Sequence, residues 1–551
     1  MKRFRKNIIH NRIIKMTFLT SAICLLLIGR LYWLQIKNYN TLKIQALKQR
    51  GQEISLYPKR GIIYDTNLIP LANRDRESTL FTFKDSIYKD QSLKDFILKY
   101  SSLNERELIE YIRYKHTIVD IPLTYTMAPY NDINTLITDR TLRYSKNNIL
   151  SHVIGYINKS ENRGESGIEK VYDDILKNQR MTNSLYVELD DKRNKILNRE
   201  YVVNQNVDSL EPSGVKLTVD YHIQKIVESV LDQEGYRGAV IVADVKSGDI
   251  KALASRPNFN QEEIDEYLDR DDMALYNKAI QIAYPPGSLF KLVVLSAALE
   301  EDLNYINRTF YCKGYEQVGN VTIRCNNTGG HGHIDLKEAF SKSCNSAFIQ
   351  LGKELGSAKI IDMAIRLGLG QKVNIGLLEE VEGNLPKGRE IQGPAIGNIS
   401  IGQGSIETTP IQITNMMMIV ANNGIEKGMA IVDGITSHEG YMIKQYNREK
   451  ERQVLSERTC EILKDCLIDV VEVGTARNID LSLVGGAGGK TGSAQAVLNR
   501  RETIHGWFSG FYPIEEPRYV ITVFIEEGMS GSQTAAPVFE KIVKQIHKIN
   551  R

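Results

Sequence analysis

Three short patterns in this chain carry residue types suited to acyl transfer. The first is Ser288-Leu289-Phe290-Lys291, preceded by Tyr284, Pro285, Pro286 and Gly287. Two prolines and a glycine interrupt regular structure and an apolar helical stretch follows at once, which puts Ser288 at a helix N-terminus. The free N–H groups and the dipole there favour developing negative charge. Lys291 projects from the same face one turn later. A serine hydroxyl is a poor nucleophile without an adjacent base. A lysine is such a base when burial and a second cation lower its pKa. Leu289, Phe290, Leu292 and Val293 can supply that burial. The second pattern is Ser343-Cys344-Asn345, which leads into an apolar segment. The third is Lys490-Thr491-Gly492, followed by Ser493. Its preceding glycines let a strand edge approach a ligand closely. Its lysine offers a cation and its threonine a hydroxyl, together suited to a carboxylate.

Each pattern alone is weak. Ser-x-x-Lys also occurs at Ser86/Lys89 and at Ser213/Lys216, and Ser-x-Asn recurs from Ser102, Ser145 and Ser160. The bland reading is a helix-capping serine beside a surface lysine. A Walker loop is excluded at Lys490, because Val484 stands where its first glycine belongs. The combination is specific. The three patterns follow one another with Ser343 placed 55 residues after Ser288 and Lys490 placed 147 after Ser343. That order is the signature of penicillin-binding proteins and class A β-lactamases. Cys344 stands where the signature has Asp, so the middle position carries no catalytic carboxylate here.

The elements that must position these residues are partly readable. Basic residues crowd positions 1–15, and an apolar run at 16–36 is long enough to cross one hydrocarbon core as a helix. Arg30 lies where it can snorkel, and Tyr32 and Trp33 lie where an interfacial belt falls. No small-x-small cleavage site follows, so an uncleaved anchor is preferred to a signal peptide. Basic residues before the span place 1–15 in the cytoplasm and the rest outside. No second long apolar segment occurs, so the chain reads as single-pass. Residues 37–212 read as an α+β pedestal without chemistry of its own, with a capping box expected at Ser102/Glu105. Residues 213–551 read as an α+β catalytic domain. Its signs are a hairpin over 238–255, a second strand pair at 505–512 and 518–528, helical patterns between them, and a last amphipathic helix burying Val538, Ile542, Val543 and Ile546. With 70 basic against 67 acidic residues the chain lacks the basic excess of a nucleic-acid binder. Its hydrophobic share of 42% and charged share of 25% exclude a disordered class. Six cysteines in 551 residues exclude a disulfide-dense scaffold.

Beyond the three patterns, Arg60-Gly61-Ile62-Ile63-Tyr64-Asp65 with Leu71-Ala72, His152-Val153-Ile154-Gly155-Tyr156, Gly164-Glu165-Ser166-Gly167-Ile168-Glu169, and Ile401-Gly402-Gln403-Gly404 with Thr409-Pro410 resemble a class B penicillin-binding protein over nearly the whole chain. Where that family usually continues Asp-Arg-Asn-Gly, this chain has Asp65-Thr66-Asn67-Leu68, so its turn is expected to differ. No glycosyltransferase segment precedes the pedestal, which argues against class A. The resemblance implies a transmembrane helix, a pedestal and a β-lactamase-like transpeptidase domain built on an antiparallel sheet with helices. It implies a peptidoglycan D,D-transpeptidase. Ser288 would be the nucleophile and Lys291 its base, with Ser343 relaying the proton and Asn345 orienting. Lys490, Thr491, Gly492 and Ser493 would bind substrate, and the backbone N–H groups of Ser288 and Ser493 would form the oxyanion hole. The implied partners are stem peptides of a lipid-linked precursor strand, β-lactams, the membrane and a polytopic SEDS-type glycosyltransferase, with no nucleic acid and no cofactor. The rivals are a D,D-carboxypeptidase or β-lactamase, a structural activator of a polymerase, and a β-lactam sensor, which the short cytoplasmic tail disfavours. His331-Gly332-His333 has no partner at metal-ligand spacing, so no metal is expected. Cys312 and Cys325 are either a disulfide or two thiols. Cys460 and Cys466 are expected on different faces of a helix.

Overall fold

In a computed structural model the described residues are 2–39, 42–43, 45, 51–113, 115, 117–124, 130, 135–177, 182–188, 202–206, 211–448, 451–498 and 501–549. The N-terminal sequence forms one helix, α1 (Lys2–Tyr32), closed by a π turn at Trp33–Lys37. It starts well before residue 16, because the basic leader continues the same helix. Its span-length stretch, Ile8–Lys37, is 30 residues long with none of its most apolar window buried in the protein. Phe18 and Leu26 stand 79% and 76% exposed. A helix this apolar is stable where hydrocarbon surrounds it, since every backbone group between its ends is satisfied internally. Arg30 lies 4.8 Å over the Trp33 ring, at the C-terminal end of the apolar run.

The chain divides into two compact units. The first is Met1–Lys59, Arg76–Leu142 and Arg180–Asp208; the second is Arg60–Asp75, Arg143–Gln179 and Ser209–Arg551. A single cut after residue 212 therefore does not describe the packing, because two stretches of the expected pedestal group with the catalytic region. In the first unit, strand Arg76–Phe83 lies between Ile118–Pro122 and Thr135–Thr141. Helices Gln91–Tyr100 and Glu105–Arg113 bury Leu93, Ile97, Leu108 and Ile112 with Leu80 and Ile121. The second helix is capped by Asn104 and Glu107, not by Ser102 and Glu105: Glu107 N donates to Asn104 Oδ1 (3.0 Å) and Asn104 N to Glu107 Oε2 (2.9 Å). Asparagine outranks serine only slightly as a cap, but it sits one residue before the first turn, where the cap belongs.

The second unit opens on a buried charged knot that uses the early motifs. Arg60 Nε donates to Glu169 Oε2 (2.8 Å), Arg143 Nε to Glu169 Oε1 (2.7 Å), and Arg60 also holds Asp173 at 2.8 Å. Glu169 is fully buried and bridges two guanidinium groups, so its oxygens are satisfied by paired charge rather than by water. Gly61 has no alternative: a Cβ there would lie 1.3 Å from Ser213 O. The next turn keeps a left-handed residue although glycine is absent, with Leu68 at φ 63°. Asp65 holds that turn by accepting from Asn67 N and Ile69 N at 2.8 and 2.7 Å.

The catalytic region is built on five antiparallel strands: β1 (Gly238–Asp244), β2 (Ile250–Arg256), β3 (Gly488–Leu498), β4 (Arg501–Tyr512) and β5 (Tyr519–Ile525). They lie in the order β2-β1-β5-β4-β3, so β3 is an edge. The hairpin and the second strand pair form as the apolar runs and the turns between them implied, and β1 and β5, buried along nearly their whole length, lie at the centre. Successive residues face opposite sides. Phe508 stacks on Phe539 of the last helix, α6 (Ala536–Ile549), while Trp507 and Phe524 pack against Tyr284. Helix α6 buries Val538, Ile542, Val543 and Ile546 as the pattern required. On the Tyr284 side lie α2 (Lys291–Glu301), α3 (Asn345–Leu355), α4 (Pro410–Ala421) and α5 (Glu457–Glu472). Cys460 and Cys466 are both buried on α5, whose core-facing surface is wide enough to include both.

Candidate active site

Folding brings the three patterns to one place. Ser288 lies in a single 3-10 turn, Gly287–Phe290, that feeds directly into α2. Gly287 has φ 55°, and a Cβ on it would lie 2.7 Å from Ser493 O, so the serine turn is seated against the third pattern. Two further segments clamp the turn. Gly287 N donates to Gly402 O (3.0 Å), and Tyr284 exchanges backbone hydrogen bonds with Thr408 (2.8 and 2.9 Å). Trp507 Nε1 donates to Pro285 O (3.1 Å). Gly402 has φ 69°, and a Cβ on it would meet Gly287 O at 2.2 Å. Thr409 and Gln412 form a reciprocal capping box that starts α4 beside this clamp.

Lys291, the first residue of α2, is completely buried. Its Nζ donates to Ser343 O (2.8 Å), Ser343 Oγ (3.0 Å) and Asn345 Oδ1 (2.8 Å). Ser343 adopts φ 54°, a left-handed conformation that costs a non-glycine residue about 1–3 kcal/mol. The same reversal lets its carbonyl and hydroxyl both reach Nζ. Cys344 then caps α3, its Sγ accepting from Ala347 N at 3.5 Å. Burial lowers the Lys291 pKa to about 7. Lys490 is also fully buried; burial first, then the Lys291 charge, holds its pKa well below the ordinary lysine value. Its Nζ donates to Thr491 O (3.1 Å). Ser493 Oγ accepts from Gly531 N (3.2 Å), and Gly492 lies against Leu289, a Cβ there coming 2.9 Å from Pro286 O. The arrangement provides a half-buried hydroxyl, a buried amine poised between charge states, and a strand edge with a second buried amine.

The decoy patterns have other work. Lys89 reaches Asp85 (3.5 Å) on an exposed helix, and Lys216 pairs with Asp433 (3.0 Å). Sequence reasoning missed Thr475, whose Oγ1 shares a 2.6 Å hydrogen bond with Thr491 Oγ1. It also missed the buried support behind Tyr284. The Tyr284 hydroxyl donates to Glu526 Oε1 (2.9 Å), and Lys278 pairs with the same carboxylate. No spacing rule signals either, since the partners lie 16 and 242 residues apart on different elements.

The expectation that His331 has no metal-binding neighbours is corrected. Cys312, Cys325, His331 and Cys344 bring their donor atoms within 4.8 Å of one another. Cys325 Sγ lies 3.8 Å from Cys344 Sγ and 3.6 Å from His331 Nδ1. A tetrahedral zinc with sulfur ligands at about 2.3 Å has ligand-to-ligand edges of about 3.8 Å. The two short edges match that geometry and the remaining donors lie within 4.8 Å, so three sulfurs and one imidazole form a ligand set suited to a four-coordinate zinc ion. All three cysteines are thiols, so Cys312 and Cys325 are not a disulfide. His333 takes no part; it lies on a short strand with its ring 5.0 Å from Tyr311. The spacing test failed because the donors come from four separate elements, one of them the α3 cap.

A family model for the penicillin binding protein transpeptidase domain matches residues 238–544. The Stage V sporulation protein D of Bacillus subtilis is 28% identical over 546 residues, covering 94% of this chain and 82% of its own length. The peptidoglycan D,D-transpeptidase MrdA of Acinetobacter baumannii is 26% identical, covering 94% of this chain and 85% of its own. A chain in a structure described as the coordination of polymerization and crosslinking by a peptidoglycan synthase complex superposes with a TM-score of 0.68. It is 24% identical, over 97% of this chain and 98% of that one.

Proposed function

We infer that this chain, which belongs to the penicillin-binding protein transpeptidase family, is a serine-type peptidoglycan D,D-transpeptidase that β-lactams acylate. The observation that carries the reading is the fully buried Lys291 amine, bonded to Ser343 and Asn345 and one turn from Ser288. Ser288 Oγ attacks the carbonyl of the penultimate D-Ala while neutral Lys291 takes its proton. The N–H groups of Ser288 and Ser493 receive the oxyanion; one such donor contributes about 3–4 kcal/mol to lowering a barrier of this kind. The proton passes from Lys291 through Ser343 Oγ to the departing D-Ala nitrogen, the C–N bond breaks, and an ester on Ser288 remains. An amine of a second peptide then forms the new C–N bond, the C–Oγ bond breaks, and a proton lost by that amine passes through Lys291 to Ser288 Oγ. Asn345 fixes the Lys291 amine and the substrate amide. Lys490 and Thr491, on the edge strand of the sheet, hold the terminal carboxylate, and Gly492 leaves room for its approach.

The α1 helix anchors the chain in the cell membrane, with the basic leader on the cytoplasmic side and the site outside. Its partners are the stem peptides of a lipid-linked strand and a polytopic glycosyltransferase of the SEDS type. Support for the second comes from the similarity to a chain of a peptidoglycan synthase complex. The test is labelling by a fluorescent penicillin of the full chain and of Ser288→Ala. A long-lived band that the substitution removes supports the reading. A short-lived band points to a hydrolase, and no labelling of folded wild type moves the structural-activator reading to the front.

A further inference from the structure

Thr475, the unforeseen partner of Thr491, also forms one wall of a recess of about 480 Å³ that no step above uses. Its other walls include Lys342, Arg477, Asn478, Ser532 and Gln533, with His331 of the cysteine cluster at one side. The walls carry two basic side chains, Lys342 and Arg477, and no carboxylate. Lys342 is shared with Glu338, outside the recess, but Arg477 makes no ion pair among the described residues. Amide and hydroxyl groups of Asn478, Ser532 and Gln533 add neutral hydrogen-bonding capacity.

The walls are built rather than incidental. Thr475 N donates to Ser341 O at 3.1 Å, and a Cβ on Gly474 would lie 2.4 Å from that same oxygen. This seats the Arg477 loop against the segment that carries Ser343. Asn478 Nδ2 donates to Ser532 O (2.8 Å), one residue beyond the Gly531 N–H that Ser493 Oγ accepts. Three parts of the active site therefore fix the recess: the second pattern, Thr491 and Ser493.

Its position assigns its occupant, given the transpeptidase reading on which this rests. The donor peptide's terminal carboxylate belongs to the D-Ala that leaves, and Thr491 is placed to hold it. The attacking amine must approach the acyl carbonyl from the side on which the amine departed, by microscopic reversibility. The recess continues from Thr491 through Thr475 on that side. We propose that it is the acceptor subsite, and that Arg477, with Lys342, holds a side-chain carboxylate of the incoming peptide. Arg477 is thereby a specificity-determining residue for the second half-reaction. Its fork can take a carboxylate through two parallel N–H donors.

The test uses the full chain in detergent with a D-Ala-terminated depsipeptide donor. Two synthetic acceptor peptides are compared, identical except that one side-chain carboxylate is a carboxamide in the second. Wild type is expected to use the acid with a KM about tenfold below that of the amide, the effect of one charged hydrogen-bonded contact. Arg477→Gln is expected to raise KM for the acid and erase the preference, and Arg477→Lys to restore part of it. Lys342→Gln is a second, independent variant, expected to narrow the preference. Penicillin acylation is followed in every sample as a report on folding and on the donor half. Equal use of the two acceptors by wild type overturns the proposal, as does a preference that survives in Arg477→Gln. Failure of wild type to form a penicillin adduct at Ser288 removes the transpeptidase reading itself, and the subsite falls with it.

Discussion

If buried Lys291 is the base, the rate of acylation must follow its charge. With its pKa lowered to about 7 from 10.5, it changes charge inside the physiological range. At pH 7 an ordinary lysine is neutral about once in three thousand molecules, whereas this one is neutral about half the time. The gain is about a thousandfold in competent base. The weaker base returns part of it: with about half of the base strength felt in the transition state, the loss is about fiftyfold. Burial thus leaves a net advantage of about thirtyfold. The assay is the second-order rate of acylation by a penicillin, measured from pH 5 to 8. The neutral fraction falls from about nine-tenths at pH 8 to about one-hundredth at pH 5, so the rate should fall about ninetyfold. Lys291→Arg, which stays charged, should lose about 10²–10⁴ of the rate at every pH. Stability should carry the same signature. The folded pKa lies below the unfolded one, so between about 7 and 10.5 the unfolded chain binds more protons and stability rises with pH. Below 7 both states are protonated and the cost of burying the charge is fully present. Lys291→Met should flatten part of that slope, and Lys490→Met another part, because its pKa is lowered too. An acylation rate that is level from pH 5 to 8, or that climbs only near pH 10, would refute Lys291 as a buried neutral base.

Glu169→Gln leaves the buried Arg60 and Arg143 without their shared carboxylate, so unfolding free energy should drop by about 3–5 kcal/mol by denaturant titration. An unchanged midpoint would mean that the knot is not the anchor of the second unit. Gly402→Ala puts a methyl 2.2 Å from Gly287 O at φ 69°, so it should displace the serine turn and slow penicillin acylation by tenfold or more while α1 still inserts in membranes. Wild-type acylation kinetics in that variant would show that the clamp is dispensable. The Cys312–Cys325–His331–Cys344 cluster should carry one zinc per chain by elemental analysis of the purified protein. Chelation should lower Tm, and Cys344→Ser should lower both metal content and Tm. A metal-free chain with Tm unmoved by a chelator would leave the cluster as packed thiols.

How much of this was legible in the sequence depended on whether the information was local. The strands at 238–255 and 505–525 were readable because short β-branched and aromatic runs broken by turn residues are a local signal, and α6 because its apolar stripe repeats within two turns. Ser288 and Lys291 were readable because one turn carries both. The capping box slipped by two residues because Ser102 and Asn104 offer equivalent oxygens, and only the helix start separates them. The early motifs were recognised, yet their packing was not. Arg60 meets Glu169 across more than a hundred residues, and the two stretches that carry them join the catalytic unit rather than the pedestal.

The cysteines show the same limit at the site itself. In sequence, Cys344 is a replacement for a missing aspartate, and nothing nearby gives it a role. In the fold its backbone starts α3, its neighbours Ser343 and Asn345 hold Lys291, and its Sγ faces Cys325. The cap of one helix is therefore shared by the buried Lys291 amine and the cysteine cluster. Any ion that draws Cys344 toward Cys312 and His331 also fixes the left-handed Ser343 that presents oxygen to Lys291. A ligand set assembled from four elements has no characteristic spacing, since its spacing is set by the loops between the elements rather than by the ion. Donor atoms separated by the edge of a tetrahedron are meaningful only in three dimensions, where the residue that departs from the signature becomes the one that ties the active site to its support.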